Sequence, residues 1–135
     1  MPSIFTRIID GEIPGRFVWR DDTCVAFMDV RPLNRGHVLV VPRAEVDHWV
    51  DLDGDTVAHL MAVAHRVAEA QQAAGLAPDR VGLMIAGFEV PHVHVHVVPI
   101  STMAHLDFSN ADTSPDPEDL DAVAALLRDR LGDSS

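Results

Sequence analysis

Three histidines alternate with valines in the segment Pro91-His92-Val93-His94-Val95-His96-Val97-Val98-Pro99. In an extended chain successive side chains point to opposite faces, so three imidazoles share one face and the valines pack on the other. With eight histidines in 135 residues, such an alternating trio is expected by chance roughly 0.03 times in the whole chain. Taken singly, His48, His59, His65 and His105 read as structural histidines. A face of three imidazoles serves two chemistries. Neutral imidazoles bind zinc, and catalytic zinc sites take three of them. Alternatively one imidazole attacks phosphorus while its neighbours supply hydrogen bonds and protons. Same-face neighbours on one strand lie about 6.5–7 Å apart, wide for three ligands on one ion without a bend. Spacing alone leaves both chemistries open.

The elements that must carry this face are readable from periodicity. Residues 4–9 form a short helical turn closed by Gly11-Glu12-Ile13-Pro14-Gly15. Residues 16–20 and 23–30 read as two strands joined at Asp21-Asp22. In the second, Val25, Phe27 and Asp29 share one face, with Cys24, Ala26, Met28 and Val30 on the other. Residues 37–41 make a third strand, stopped by Pro42. The stretch 55–74 is a helix: Val57, Leu60, Met61, Ala64, Val67 and Ala68 recur at offsets of three and four, with Asp53 or Asp55 to cap it and Gly75 to end it. Strands follow at 81–86 and 92–98. Beyond Pro99 comes a loop, polar and proline-broken at 109–117, then a helix over 117–131 burying Leu120, Val123, Ala124, Leu127 and Leu131. Many strands with two main helices, not alternating βαβ, predict an antiparallel α+β sheet.

Composition bounds the partners. The chain is sized for one domain with its own core. Ten Lys+Arg against 21 Asp+Glu give a net charge of −11, which excludes a nucleic-acid polymer but not a single nucleotide in a local pocket. No apolar run approaches the length of a membrane span. The first ten residues lack a signal peptide's pattern, and Cys24 is the single cysteine. A cytoplasmic protein without internal disulfide is therefore expected.

The histidine segment resembles the His-φ-His-φ-His-φ-φ signature (φ apolar) of the histidine triad (HIT) superfamily of nucleotide hydrolases and transferases. Ile4-Phe5, Ile8-Ile9, Glu12-Ile13-Pro14, Asp21-Asp22, Ala26-Phe27, Asp29, Pro32, Gly36-His37 and Val41-Pro42 also resemble that family's N-terminal half in order and spacing. The resemblance spans about residues 3–99, is nearest the Hint-like branch, and is closest to small actinobacterial HIT-like proteins. It implies a HIT-like fold: a five-stranded antiparallel sheet with one long helix and a C-terminal helix. Residues 1–108 would form the HIT domain and 109–135 a loop-and-helix extension of it. A two-fold homodimer is also implied.

For function, the resemblance implies a hydrolase cleaving at the α-phosphate of a purine nucleoside monophosphate derivative, such as a phosphoramidate, through a nucleotidyl-histidine intermediate. His94 matches the nucleophile, His96 the phosphate-binding histidine, and His37 the upstream histidine of the same site. His92 matches a supporting histidine whose carbonyl orients the nucleophile. Asp29 matches the acid that holds the ribose hydroxyls. Phe5, Ile8, Phe27, Val30 and Leu39 would wall the base pocket, and each is equally a core residue by type. No cofactor is implied. Some relatives bind structural zinc through Cys-x-x-Cys near the N-terminus; Ser3 and Thr6 stand there, so that site is expected to be lost. Many relatives carry Gly-Gln-Ser/Thr before the triad, whereas this chain has a shortened Ala86-Gly87-Phe88-Glu89-Val90-Pro91. Glu89 thus falls where the family contacts the leaving group. Two alternatives accompany the hydrolase reading: a nucleotide-binding or sensing module with weakened turnover, and a metal-binding protein using the histidine face.

Overall fold

The computed structural model describes residues 2–132; Met1 and the last three positions of the 109–135 extension lie outside the described residues. Ser3 starts the first helix, α1 (Ile4–Ile9), because its hydroxyl accepts the Thr6 amide hydrogen at 3.0 Å. Strands β1 (Phe17–Arg20) and β2 (Cys24–Met28) are joined by a turn in which one Asp21 oxygen accepts from the Thr23 and Cys24 amides, both at 2.8 Å. Strand β3 (Val38–Pro42) leads to α2 (Gly54–Ala73), capped by Asp53. After β4 (Arg80–Met84) and β5 (Val95–Ile100) comes α3 (Pro117–Leu131), capped by Asp116 and ended by Gly132 at φ 77°. The strands form one sheet in the order β1-β2-β3-β5-β4, every pair antiparallel. The fold is α+β, as the residue pattern predicts.

The two faces of the sheet have different fates. Cys24, Ala26 and Met28 join Val38, Val40, Val93, Val95 and Val97 in the main core beneath α2 and α3. Val25 and Phe27 face the other way, with Leu39, Val41 and the α1 residues Phe5 and Ile8. Each buried aliphatic side chain stabilises by about 1.5–3 kcal/mol relative to exposure. One register row on the second face runs Phe17, Phe27, Leu39, His96, Met84 across all five strands. The sheet therefore delivers His96 directly beside an apolar strip.

Several boundaries differ from the sequence reading. Strand β5 begins at Val95, not His92: β4 has ended at Met84, opposite His96, and the ladder to β3 stops at the Val40–Val95 pair although β3 runs on to Pro42. Alternation still holds there, because the Val93 amide donates to the Val46 carbonyl at 2.8 Å and Val93 is buried in the main core. The strand also continues through Pro99 to Ile100, pairing with β4 after the β3 ladder has ended at Val97. The Asn34 amide nitrogen donates to the Pro99 carbonyl on that open side, where proline's missing N–H leaves no ladder bond unmade. Strand β2 stops at Met28, so Val30 does not share Met28's face; it lies outside the strand and is 61% exposed. Met61, expected on the buried face of α2, is also exposed; Val63, Ala70 and Gln71 are buried instead.

Candidate active site

His92, His94, His96 and His37 lie buried together on the α1 face of the sheet, and their hydrogen-bond partners fix where each proton sits. His92 Nε2–H donates to the Pro42 carbonyl at 2.8 Å, so its Nδ1 accepts from the Ser3 hydroxyl at 2.7 Å. His94 Nδ1–H donates to the His92 carbonyl at 2.7 Å, which leaves the lone pair on Nε2. On the other side, the Leu33 amide donates to His37 Nδ1 at 3.0 Å. His37 must then donate from Nε2 to His96 Nδ1, 3.0 Å away. His96 Nε2 is left carrying a hydrogen, buried, with no hydrogen-bond partner. Two backbone-anchored chains therefore converge, one presenting a lone pair and the other a donor.

The remaining sequence-predicted residues surround this pair. Asp29 places Oδ2 3.5 Å from His37 Nε2, while its Oδ1 accepts the Arg31 amide at 2.8 Å. Phe5, Ile8, Phe27, Asp29, Val30 and Leu39 all line one cleft between α1 and the sheet, with Val30 on its exposed part. Phe5 also stands edge-on to His94, ring centroids 4.9 Å apart, so the cleft and the imidazoles are continuous. Glu89 brings Oε1 to 3.6 Å from His94 Nε2 and 3.7 Å from His96 Nε2. A larger cavity of about 550 Å³ opens behind the 32–36 loop, lined by Pro32, Arg35, Asp112 and Asp119, but none of the four imidazoles lines it. Of the two, the smaller cleft is the one that adjoins the imidazoles.

Burial governs the charge states. It pushes His37 down to about 3, helped by His96 and His94, and His96 down to about 4, helped by His94. Burial lowers His92 as well, against the Pro42 carbonyl and Glu45. The same desolvation raises Asp29, partly offset by the Arg31 amide. These imidazoles are thus neutral near pH 7, as the proton assignments require.

Among the described residues, three groups bring metal-ligating atoms together. In Glu89–His94–His96, the ion would need a lone pair on His96 Nε2, the atom that the Leu33–His37 chain keeps protonated. In Asp29–His37–His96, the two imidazoles already spend their facing nitrogens on each other. In Asp21–Cys24–His59, the Asp21 carboxylate already accepts from two amides, the Trp19 indole and His59. Burial also pushes the Cys24 thiol up to about 12, which disfavours a free thiolate there. Ser3 and Thr6, the positions of the relatives' zinc cysteines, instead share Glu45: the Ser3 amide and the Thr6 hydroxyl donate to Oε1 at 2.6 and 2.7 Å.

Sequence reasoning missed some members of this site. Ser3 is one: its hydroxyl holds His92 Nδ1 at 2.7 Å, completing the ring's partners once the Pro42 carbonyl has fixed the tautomer. The signal available was its helix-capping position. Phe108 stands edge-on to His96 at 5.1 Å, brought there by the segment after β5; nothing local in the sequence marks it. Gln71, on α2, donates to the carbonyls of Gly36 and Val97, which flank His37 and His96.

Comparison with known proteins bears on this geometry. The HIT domain family model matches residues 10–103. The chain belongs to the HIT family. A HIT-like protein of Mycobacterium tuberculosis (strain CDC 1551) is 33% identical over 136 residues, 97% of this chain and 94% of its own length. A purine nucleoside phosphoramidase of Escherichia coli (strain K12) is 31% identical over 104 residues, covering 71% of this chain and 85% of the enzyme. Among solved structures, a zinc-bound histidine triad family protein from Mycobacterium smegmatis superposes with TM-score 0.80 at 32% identity, over 95% of this chain and 91% of that one. The five-stranded antiparallel sheet is the HIT fold. No helix among the described residues is long and apolar enough to cross a membrane.

Proposed function

We propose that the protein hydrolyses the bond between the α-phosphate of a purine nucleoside monophosphate and an amine, through a nucleotidyl intermediate on His94. One observation carries this reading: His94 Nε2 holds a lone pair beside the unpartnered donor on His96 Nε2. An attacking nitrogen and an oxyanion donor, both pre-set by buried backbone groups, are what an in-line phosphoryl transfer requires. The lone pair forms the N–P bond, the His96 hydrogen binds a phosphoryl oxygen, and the His92 carbonyl holds the imidazolium that develops. His37 keeps His96 in its donor form. Asp29, at the junction of cleft and imidazoles, accepts both ribose hydroxyls. The base lies in the cleft of Phe5, Ile8, Phe27, Val30 and Leu39. The phosphoramidate class rests on the E. coli relative's activity.

The active unit in this reading is a homodimer. Strand β4 is a sheet edge with Leu83 exposed. A wholly apolar hollow of about 230 Å³ lies near it, lined by residues including Trp49, Met61 and Ile85. Open edges flanked by exposed apolar side chains are association surfaces. Residues 109–135 are taken as part of the same domain, because α3 buries Leu120, Val123, Ala124, Leu127 and Leu131. A reducing cytoplasm suits the single, buried Cys24.

Native mass spectrometry after mixing with an adenosine 5′-phosphoramidate tests site and assembly together. The expected species is a dimer carrying an adenylyl group on His94, absent in His94→Ala, whose turnover falls at least about 10²-fold. More than a tenth of wild-type turnover in that variant refutes the nucleophile, and a monomer refutes the dimer.

A further inference from the structure

The site holds one ionisable group that the steps above leave without work. Glu89 sits in the loop between β4 and β5, two residues after Gly87, whose φ of 101° lets the loop turn sharply. Its Oε1 is nearly equidistant from His94 Nε2 and His96 Nε2, at 3.6 and 3.7 Å. The carboxylate side chain is 43% exposed while the two imidazoles are almost wholly buried. No hydrogen bond among the described residues ties its oxygens elsewhere. It is an acid at the mouth, aimed inward and free to shift.

We propose that Glu89 is the proton donor to the leaving group, and hence the residue that fits this site to basic amine leaving groups; this rests on His94 being the nucleophile. The space within hydrogen-bonding reach of both Nε2 atoms is where the reacting phosphoryl group must sit, since near-attack distances are about 3–3.5 Å. Glu89 already reaches that space with a carboxyl oxygen. A carboxyl placed there is the group that can carry a proton to the departing amine. Glu89 also lies near enough to Asp29 to disfavour that carboxylate's charge. In-line attack from the buried His94 directs the leaving group outward, to the mouth where Glu89 stands. Other donors are spoken for: His37 and His92 use both ring nitrogens, and the His96 hydrogen faces the phosphoryl oxygen. Phe108, edge-on to His96, covers the neighbouring side.

The proton cycle closes. His94 Nε2 forms the N–P bond as the P–N bond to the amine breaks; that bond's electron pair goes to the amine nitrogen, which takes the Glu89 proton. Glu89, now ionised, takes a proton from the water that attacks phosphorus. The electron pair of the N–P bond returns to His94, and Glu89 is again the acid.

The test is a leaving-group series: adenosine 5′-phosphoramidates of amines running from weakly basic aryl to strongly basic alkyl, on wild type, Glu89→Gln and Glu89→Asp. Glu89→Gln is expected to lose at least about 10²-fold in kcat/KM with alkylamines, far less with arylamines, and still to form the His94 adduct. Glu89→Asp should recover part of the alkylamine rate. An equal loss across the series, or a faster enzyme, overturns the acid role while the adduct keeps the His94 reading standing. Failure of the wild type to form any adduct overturns both.

Discussion

Four imidazoles are buried here without a charged partner for each, and the cost is avoided by giving each ring nitrogen of His37 and His92 a defined neighbour. The arrangement has a thermodynamic signature. An unfolded histidine titrates near 6.5, whereas burial holds folded His37 near 3 and His96 near 4. Because both folded values lie below the unfolded one, the stability is fully present above pH 6.5. As pH falls from 6.5 towards 4, the unfolded chain takes up protons that the native one refuses. Each such group costs about 1.4 kcal/mol per pH unit. We expect urea denaturation midpoints to fall steadily between pH 7 and 5, with a loss on the order of 2–4 kcal/mol. His96→Asn should flatten that slope, and a wild-type profile level across this range would contradict the neutral, buried assignment.

At the scale of elements, the site is braced from behind. Gln71 projects from α2 through the sheet's packed face, and its Nε2 reaches the Gly36 carbonyl at 2.8 Å and the Val97 carbonyl at 3.0 Å. Those residues precede His37 and follow His96, so one amide holds both ends of the His37–His96 contact. Gly36 itself has φ 94°, and a Cβ there would come within 3.2 Å of Leu76 and Pro99. Gln71→Ala should leave two buried carbonyls short of a donor, at a cost of about 2–3 kcal/mol. It should also weaken nucleotide binding, read by calorimetry, although Gln71 does not line the cleft. Stability loss with unchanged affinity would restrict Gln71 to a packing role. Such bracing was hard to read in the sequence. The alternation of His and Val, the split of β2 between Cys24–Ala26–Met28 and Val25–Phe27, and the spacing of α3 were legible because each is local and periodic. The start of β5 was not, since it depends on where β4 ends and on the Val93 amide bonding Val46. Nor were Ser3, Phe108 and Gln71, whose partners lie 26 to 89 residues away or arrive from another element.

At the scale of the molecule, the C-terminal helix closes the structure rather than hanging from it. It packs on β1 and α2, and Asp119 forms a two-pronged pair with Arg35 in the loop before His37, at 2.9–3.1 Å. That pair is exposed, and exposed pairs contribute about 0–1 kcal/mol; the apolar stripe from Leu120 to Leu131 does more to hold α3. The strand order carries a further consequence, one of timing. Strands β1, β2 and β3 form a meander of neighbours, in which Cys24 meets Pro42. The β3–β5 ladder instead joins Val40 to Val95, and the His37–His96 contact spans 59 positions. Closing a long loop before its contacts form slows folding. The meander can therefore assemble early and bury Phe27 and Leu39 while the imidazoles are still apart. In refolding from urea followed by stopped flow, secondary structure should return first and nucleotide binding with the slowest phase. Simultaneous recovery would contradict that order. A nascent chain would then own most of its sheet before it owned a catalyst, and chemistry would switch on only with the last long-range closure.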